Sequence, residues 1–338
     1  MAPSVNASVI ANRTPIDARG TYGSSGGGVL RVYTQDIYGG IRESGYNGSG
    51  NSWFGGDKVI GTAKIDSPIA VASTPDLKHA SLLPILGSSD RNQADLFHKI
   101  RLYYISADFK LKELAYDEDT SSKGWFDGEL NGKNYSVAPY SAIAATYLAT
   151  DQLKIRVYVQ SPDDTIQEYS NDGSWYKDQG LGTALPGSSL AVTAYKGGPN
   201  ASIRLYYQTP NLDLIEKAHD DGGSWETGGF SVKSATPRAT ISVTSWTSSS
   251  GTGIRVYYTG PNDTILEKGN DGSWYDGGFK QTSIPGSQVG SLSWYASGSK
   301  APEIRVYFQN GTEVTAVTEW KWQGSWSKGH PALPPASQ

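Results

Sequence analysis

The stretch RVYVQSPDDTIQE, Arg156 to Glu168, decides the fold because it does not stand alone: RLYYQTPNLDLIE (Arg204 to Glu216) and RVYYTGPNDTILE (Arg255 to Glu267) repeat its skeleton. Arg-(Val/Leu)-Tyr occurs at Arg31, Arg101, Arg156, Arg204, Arg255 and Arg305, in steps of 70, 55, 48, 51 and 50 residues. A period of that length marks a repeat architecture. A tryptophan trails each copy, at Trp53, Trp125, Trp175, Trp225, Trp274 and Trp326, and a proline leads each, at Pro15, Pro68, Pro139, Pro186, Pro237 and Pro285. Each unit reads as proline, strand, loop, Arg-x-Tyr strand, turn, Ile-x-Glu strand and Gly-Ser-Trp strand.

Four short strands per unit, joined by Gly- and Pro-rich turns, match the blade of a β-propeller better than a solenoid. The expectation is an all-β chain: a six-bladed β-propeller with four short antiparallel strands per blade. The segment 74–99, TPDLKHASLLPILGSSDRNQADLFHK, accounts for the long first step, and its LLPIL core suggests an ordered insertion. No shift of composition elsewhere marks a boundary, so residues 1–338 read as one domain. A strand around Val9 to Arg13 is the candidate to complete the last blade.

Composition agrees with many strands and tight turns. Among 338 residues there are 40 glycines, and aromatics make up 11%, as all-β proteins need and helical ones do not. No stretch approaches the ~18 consecutive apolar residues of a membrane span, so membrane insertion is not expected. The start, MAPSVNASVIANRT, lacks a basic segment followed by an apolar core. The expectation is therefore no conventional signal peptide, leaving the cytoplasm or a cell or spore surface reached by another route. The absence of cysteine removes disulfides, thiol nucleophiles and thiolate metal sites together. Four scattered histidines, His79, His98, His219 and His330, have no ligand spacing, so no metal or other cofactor is expected. A net charge of −4 without a basic block gives no footprint for nucleic acid.

In five copies the Arg and the Glu of the strand pair lie twelve residues apart (Arg31/Glu43, Arg101/Glu113, Arg156/Glu168, Arg204/Glu216, Arg255/Glu267), with a turn near the midpoint. Residues equidistant from a hairpin turn face each other, which predicts Arg and Glu as direct cross-strand partners. In the sixth copy Arg305 and Glu319 are fourteen apart. Two extra residues, one on each side of the turn, preserve the facing pair because strand side chains alternate with a period of two. Glu319 is therefore the expected partner, and Glu313 a solvated turn residue.

An exposed ion pair that only sets register is the plain alternative, worth under ~1 kcal/mol, and a fixed tryptophan alone is as readily core as platform. Yet the Arg is never replaced by Lys, as expected where a planar fork must hold paired hydrogen bonds. A guanidinium donor, a carboxylate acceptor and an aromatic face together suit a neutral sugar, whose hydroxyls donate and accept while one ring face presents only C–H groups. A sialidase-like hydrolase is the competing class, and SNDGSW (170–175) resembles an Asp-box with its spacing off by two residues. Hydrolysis, however, needs two carboxyl groups converging on one bond, whereas each unit repeats one. A protein-interaction propeller predicts varied rather than repeated surface residues. Six repeated sites point to multivalent binding without catalysis.

Through RVYTQDIYGGIRES (31–44), KVIGTAKIDSPIA (58–70), IRVYFQNGTEVTAVTEW (304–320) and ALPPA (332–336), the chain resembles the fungal fucose-specific lectins of the Aleuria aurantia and Aspergillus type. The resemblance implies a metal-free homodimer of six-bladed propellers that binds L-fucose and fucosylated glycans and glycoproteins in clefts between adjacent blades, with Arg and Glu from one blade and a Trp from the next. It implies clefts of Arg31, Glu43 and Trp125; Arg101, Glu113 and Trp175; Arg156, Glu168 and Trp225; Arg204, Glu216 and Trp274; Arg255, Glu267 and Trp326; and, closing the ring, Arg305, Glu319 and Trp53. An aromatic three residues after the Glu is implied against the fucose methyl. That position is Tyr46, Tyr116 and Trp322 in three blades but Asn171, His219 and Asn270 in the others, so the sites are expected to be unequal.

Overall fold

The computed structural model of the chain describes residues 10–22, 28–48, 52–74, 99–117, 124–148, 154–196, 200–295, 299, 301–313 and 315–335. Among them the strands form six four-stranded antiparallel sheets. The first contains β1 (Asp17–Tyr22), β2 (Gly28–Gln35), β3 (Gly40–Tyr46) and β4 (Trp53–Thr62) in chain order, and the other five repeat that order. The innermost strands β1, β5 (Ile69–Ser73), β9 (Ile143–Tyr147), β13 (Leu190–Lys196), β17 (Ile241–Ser248) and β21 (Val289–Trp294) pack each against the next, and β21 against β1. The molecule is a six-bladed β-propeller. Blades are numbered here from the one carrying Arg31.

Each blade has neighbours on both faces, which explains the near-continuous apolar runs of the inner strands. In β2, GVLRVYTQ, every residue is buried except Arg31, which is half-buried. Six apolar clusters fill the six blade interfaces. Val29, Tyr33 and Ile41 of blade one meet Val71, Leu102 and Leu114 of blade two. At the closure, Ile16, Leu30 and Val32 meet Leu292, Trp294 and Tyr307 of blade six. Each fully buried side chain of this size contributes ~1.5–3 kcal/mol relative to exposure.

Ring closure differs from the sequence expectation. Blade six takes all four strands from the C-terminal part of the chain, β21 with β22 (Glu303–Phe308), β23 (Thr318–Trp322) and β24 (Trp326–Lys328). Among the described residues the N-terminal segment adds no strand to it: Ile10 forms a single bridge with Asp36 of blade one, and Val9, where the expected closing strand begins, lies outside the described residues. Instead the segment imitates the linkers between blades. Gln35, Gln160 and Gln208 end the second strands of their blades and donate through Nε2 to the carbonyls of Lys64, Leu185 and Thr236, in the linkers ahead. Gln309 donates in the same way to Ala11 O at 3.0 Å and accepts from Thr14 N at 3.2 Å, while Arg13 Nε donates to Pro285 O. A buried amide must spend its hydrogen-bonding groups, and here it spends them on whichever segment leads to the next blade.

The long first step falls between the first two strands of blade two, β5 and β6 (Lys99–Ile105). Its ends are joined, with Thr74 N donating to Lys99 O at 3.0 Å and Lys99 N to Thr74 Oγ1 at 3.2 Å. Residues 75–98, including the LLPIL stretch read as an ordered insertion, lie outside the described residues.

Arg and Glu are not direct cross-strand partners. The register sets Tyr158 opposite Glu168 and Arg156 opposite Ser170, and the same two-residue offset holds in all six blades, with Tyr33/Glu43, Tyr103/Glu113, Tyr206/Glu216, Tyr257/Glu267 and Tyr307/Glu319. The turn is the cause. Ser161 N donates to Thr165 O and Asp164 N to Ser161 O, and Asp164 is left-handed (φ 65°), so the three-residue loop 162–164 centres one residue past the Arg–Glu midpoint. One residue of turn moves the pairing by two, which keeps both side chains on one face as diagonal neighbours. The longer sixth hairpin likewise keeps Tyr307 opposite Glu319, and Glu313 lies exposed in its turn.

Candidate functional site

Every arginine of the repeat is fixed in the same way. Its Nη1 donates to the carbonyl of the preceding residue, Leu30, Ile100, Ile155, Ile203, Ile254 or Ile304, at 2.9–3.0 Å. A second anchor comes from the residue that ends the third strand or directly follows it. Nη1 of Arg31 donates to Asn47, and that of Arg101 to Asp117. Arg156, Arg204 and Arg255 form two-pronged pairs with Asp172, Asp220 and Asp271. In blade six this position has shifted: Glu303, steadied by Gln323, receives Nη2 of Arg305 at 2.9 Å. Aromatic rings cover several of the guanidinium faces, Phe54 on Arg31, Tyr195 on Arg204, Trp246 on Arg255 and Trp294 on Arg305. The Nε edge is thereby turned toward the Glu, at 3.8, 3.8, 3.5, 2.9 and 3.4 Å for Arg31, Arg101, Arg156, Arg204 and Arg305.

The glutamates are gripped from below. Tyr33, Tyr103, Tyr158 and Tyr307, each fully buried, donate their hydroxyls to Glu43, Glu113, Glu168 and Glu319 at 2.8–3.2 Å. Leu130 N, Phe230 N and His330 N donate to the second oxygens of Glu113, Glu216 and Glu319. Glycines at the start of this outer segment make room: a Cβ on Gly128, Gly228, Gly277 or Gly329 would collide with the carboxyl group. Burial pushes the carboxyls of Glu113, Glu168, Glu216 and Glu267 above the ordinary glutamate range, against the pull of the neighbouring Arg. The outer acids behave oppositely. A hydrogen bond from Arg204 holds Asp220 low, and although burial works upward on Asp172 and Asp271, their bonds from Arg156 and Tyr176 and from Arg255 and Tyr275 prevail.

The tryptophans complete the constellation from the adjacent blade. Each stands edge-on to the buried Tyr beneath the preceding blade's Glu: Trp125 to Tyr33, Trp175 to Tyr103, Trp225 to Tyr158, Trp274 to Tyr206, Trp326 to Tyr257 and Trp53 to Tyr307, with centroids 5.9–6.4 Å apart. Trp225 Nε1 also donates to Glu168 at 3.3 Å. The residue three past the Glu lies beside its own blade's Trp, as in the tilted pairs Tyr46/Trp53, Tyr116/Trp125, His219/Trp225 and Trp322/Trp326 and the cross-strand pairs Asn171/Trp175 and Asn270/Trp274. The structure thus brings each predicted triple together between neighbouring blades, around the whole ring. The cleft of Arg156 encloses about 230 Å³. Larger hollows of about 260 and 590 Å³ occupy the two mouths of the central channel, but neither contains any of these triples.

Two elements of the site went unread in the sequence. The Tyr of Arg-x-Tyr supports the Glu, and an Asn or Asp stands sixteen residues after the Arg in the first five copies: Asn47, Asp117, Asp172, Asp220 and Asp271. That second spacing is constant and could have been found by the same search that found the Glu. Among the described residues, no group of three or more His, Cys, Asp or Glu could hold a metal ion.

Comparison with known proteins agrees with the repeat geometry. The family model for fungal fucose-specific lectins matches residues 10–336. A fucose-specific lectin of Aspergillus fumigatus is 39% identical over 91% of this chain and 93% of its own length, and that of Aleuria aurantia is 31% identical over 91% and 92%. Among solved structures, SapL1 lectin in complex with alpha methyl fucoside is 38% identical, with a TM-score of 0.80 over 98% of this chain and 100% of that one. The six-bladed β-propeller of the Aleuria aurantia lectin superimposes with a TM-score of 0.80 at 28% identity, over 99% of each chain.

Proposed function

This chain belongs to the fungal fucose-specific lectin family, a carbohydrate-binding and non-enzymatic one, and on that footing we propose that it binds L-fucose and fucosylated glycans in the six clefts between its blades. The observation that carries this reading is the recurrence, six times around the ring, of an Arg and a Glu on one blade facing a Trp of the next, with the Arg Nε edge within 3.8 Å of the Glu carboxylate in five of the six. Arg donates to sugar hydroxyls, the carboxylate accepts from them, and the Trp packs against the C–H face of the ring. The methyl group is the one exocyclic substituent of fucose without a hydroxyl, so it goes to the most apolar corner, beside Tyr46, Tyr116 or Trp322. Names of relatives support the choice of sugar; the residues themselves support a neutral sugar with vicinal hydroxyls. Assembly as a homodimer is part of the same proposal. Titration calorimetry with methyl α-L-fucoside tests the reading: more than one bound sugar per chain is expected, and a chain that takes up no fucoside overturns it.

A further inference from the structure

The residue three past the Glu is aromatic in three blades, and in two others it is an asparagine whose side-chain oxygen is engaged elsewhere. Asn171 accepts from Gly173 N at 3.0 Å and Asn270 from Gly272 N at 2.8 Å, each capping its own turn. His219 differs from both groups. Its imidazole lies 5.4 Å from the Trp225 ring, tilted by 49°, and lines the cleft of Arg156 and Glu168. Its Nδ1 is buried and has no hydrogen-bond partner among the described residues. Buried polar atoms are normally paired, and one left unpaired in a concave site is a place where a ligand atom can pair.

The corner that holds Tyr46/Trp53, Tyr116/Trp125 and Trp322/Trp326 in other clefts is fit for a methyl group; in the Arg156 cleft that corner carries a hydrogen-bonding nitrogen instead. We propose that this cleft has a specificity of its own and accepts a hexose with the hydroxyl arrangement of L-fucose but a hydroxymethyl in place of the methyl, the L-galactose configuration, with the His219 ring turning its buried, unpaired Nδ1 toward the cleft to bond the exocyclic hydroxyl. A hydroxyl both donates and accepts, so it satisfies either tautomer of the neutral ring. The proposal rests on the fucose reading for the rest of the cleft: Arg156, Glu168 and Trp225 hold the ring atoms shared by the two sugars. A site built to hydrogen-bond a hydroxyl rejects the analogue that lacks it far more strongly than an apolar pocket rejects an added one. Fucosides are therefore disfavoured in this cleft, and L-galactosides in the clefts lined by two aromatics.

The test uses the full chain with methyl α-L-fucoside and methyl α-L-galactoside, titrated separately into wild type, His219→Phe and His219→Gln. Wild type is expected to bind about one galactoside per chain. His219→Phe should weaken that binding by roughly tenfold or more and add a fucoside site of correspondingly higher affinity. His219→Gln, which keeps a donor and an acceptor, should retain the galactoside. In wild type the ¹⁵N resonances of the His219 ring should shift on adding galactoside. Galactoside binding that is undiminished in His219→Phe, or absent from a wild type that binds fucoside, overturns the inference and leaves the fucose reading standing. A wild type that binds neither sugar overturns both, and the fucoside arm alone reveals it.

Discussion

Two acids share the arginine in every blade but the first, where Asn47 takes the place of one, and in blades three, four and five their opposite environments divide the labour. In blade three the partly exposed Asp172 is ionised by its contact with Arg156 and locks the guanidinium, while Glu168 is buried and under-stabilised as an anion. Sugar hydroxyls would supply the donors that Glu168 lacks. Arg255→Ala is expected to cost ~1.5–3 kcal/mol of fucoside binding at its own cleft, where Trp322 and Trp326 pair, while the far-ultraviolet spectrum of the fold stays unchanged; calorimetry showing the wild-type stoichiometry and affinity would refute the assignment. A pH dependence follows with a definite sign. Hydroxyl donors favour the carboxylate, so binding lowers the raised pKa of Glu113, Glu168, Glu216 and Glu267 and releases protons. Affinity at these clefts is full above the raised values and falls as pH drops through them, in a window above the ordinary glutamate range. In the empty protein the same shift works against the fold as pH rises: its stabilising effect is complete below the ordinary glutamate range and lost as pH rises through the raised values. Fucoside should therefore raise the melting temperature more at pH 7 than at pH 5. The Arg, Glu and Trp of every cleft were legible from period and residue type. The Asn or Asp sixteen residues on was equally regular in five copies, but a position at or just past a strand end carries no alternating pattern to draw attention to it.

At the scale of the element, the hairpin turn decides how Arg and Glu meet. Its left-handed residue is Gly39, Phe109, Asp164, Leu212, Asp263 or Thr315. Glycine and aspartate announce such a backbone in a sequence, whereas phenylalanine and leucine do not, and this hid the two-residue offset while leaving the shared face legible. The outer strand makes its own contribution, a close approach to the Glu that only glycine permits. Gly277→Ala should drive the Glu267 carboxyl from its seat at a cost of about 1–3 kcal/mol in stability and silence the Arg255 cleft alone, which thermal melts and fucoside titration would register together. The sixth hairpin keeps its pair despite its extra length, because parity survives an insertion of two. A crystal soaked with fucoside should show Arg305, Glu319 and Trp53 on one sugar. An empty cleft there, clear of lattice contacts and at saturating ligand, would mean that the altered anchor at Glu303 has disabled the site.

Across the whole molecule the six clefts share a plan and differ in finish. The Arg255 cleft is walled by Trp322 and Trp326 and the Arg31 cleft by Tyr116 and Trp125, whereas Asn171, His219 and Asn270 stand in those of Arg101, Arg156 and Arg204. The last three lose packing area against a methyl group and should bind fucoside more weakly; a titration that fits six identical sites over its full range would contradict this. Several linked weak sites can still gain ~10²–10⁴ in avidity on a surface dense in ligand. Blade number and sheet order were legible because the period is strict, but the manner of closure was not: a glutamine four residues after the Arg recurs at Gln35, Gln160, Gln208 and Gln309, yet nothing in that spacing says which passing segment Gln309 grips. That closure has a further consequence. Many rings are locked by a blade that borrows one strand from each end of the chain, and cutting them elsewhere destroys the lock. Here every blade is a continuous run of sequence, and Ile10, Leu333 and Pro334 all lie at the junction of blades one and six. The seam is therefore chemically like the other five joints, and the ring has no privileged beginning. A circular permutant opened between blades three and four, with a short linker joining the present ends, should fold to the same propeller and keep the fucoside stoichiometry of the parent.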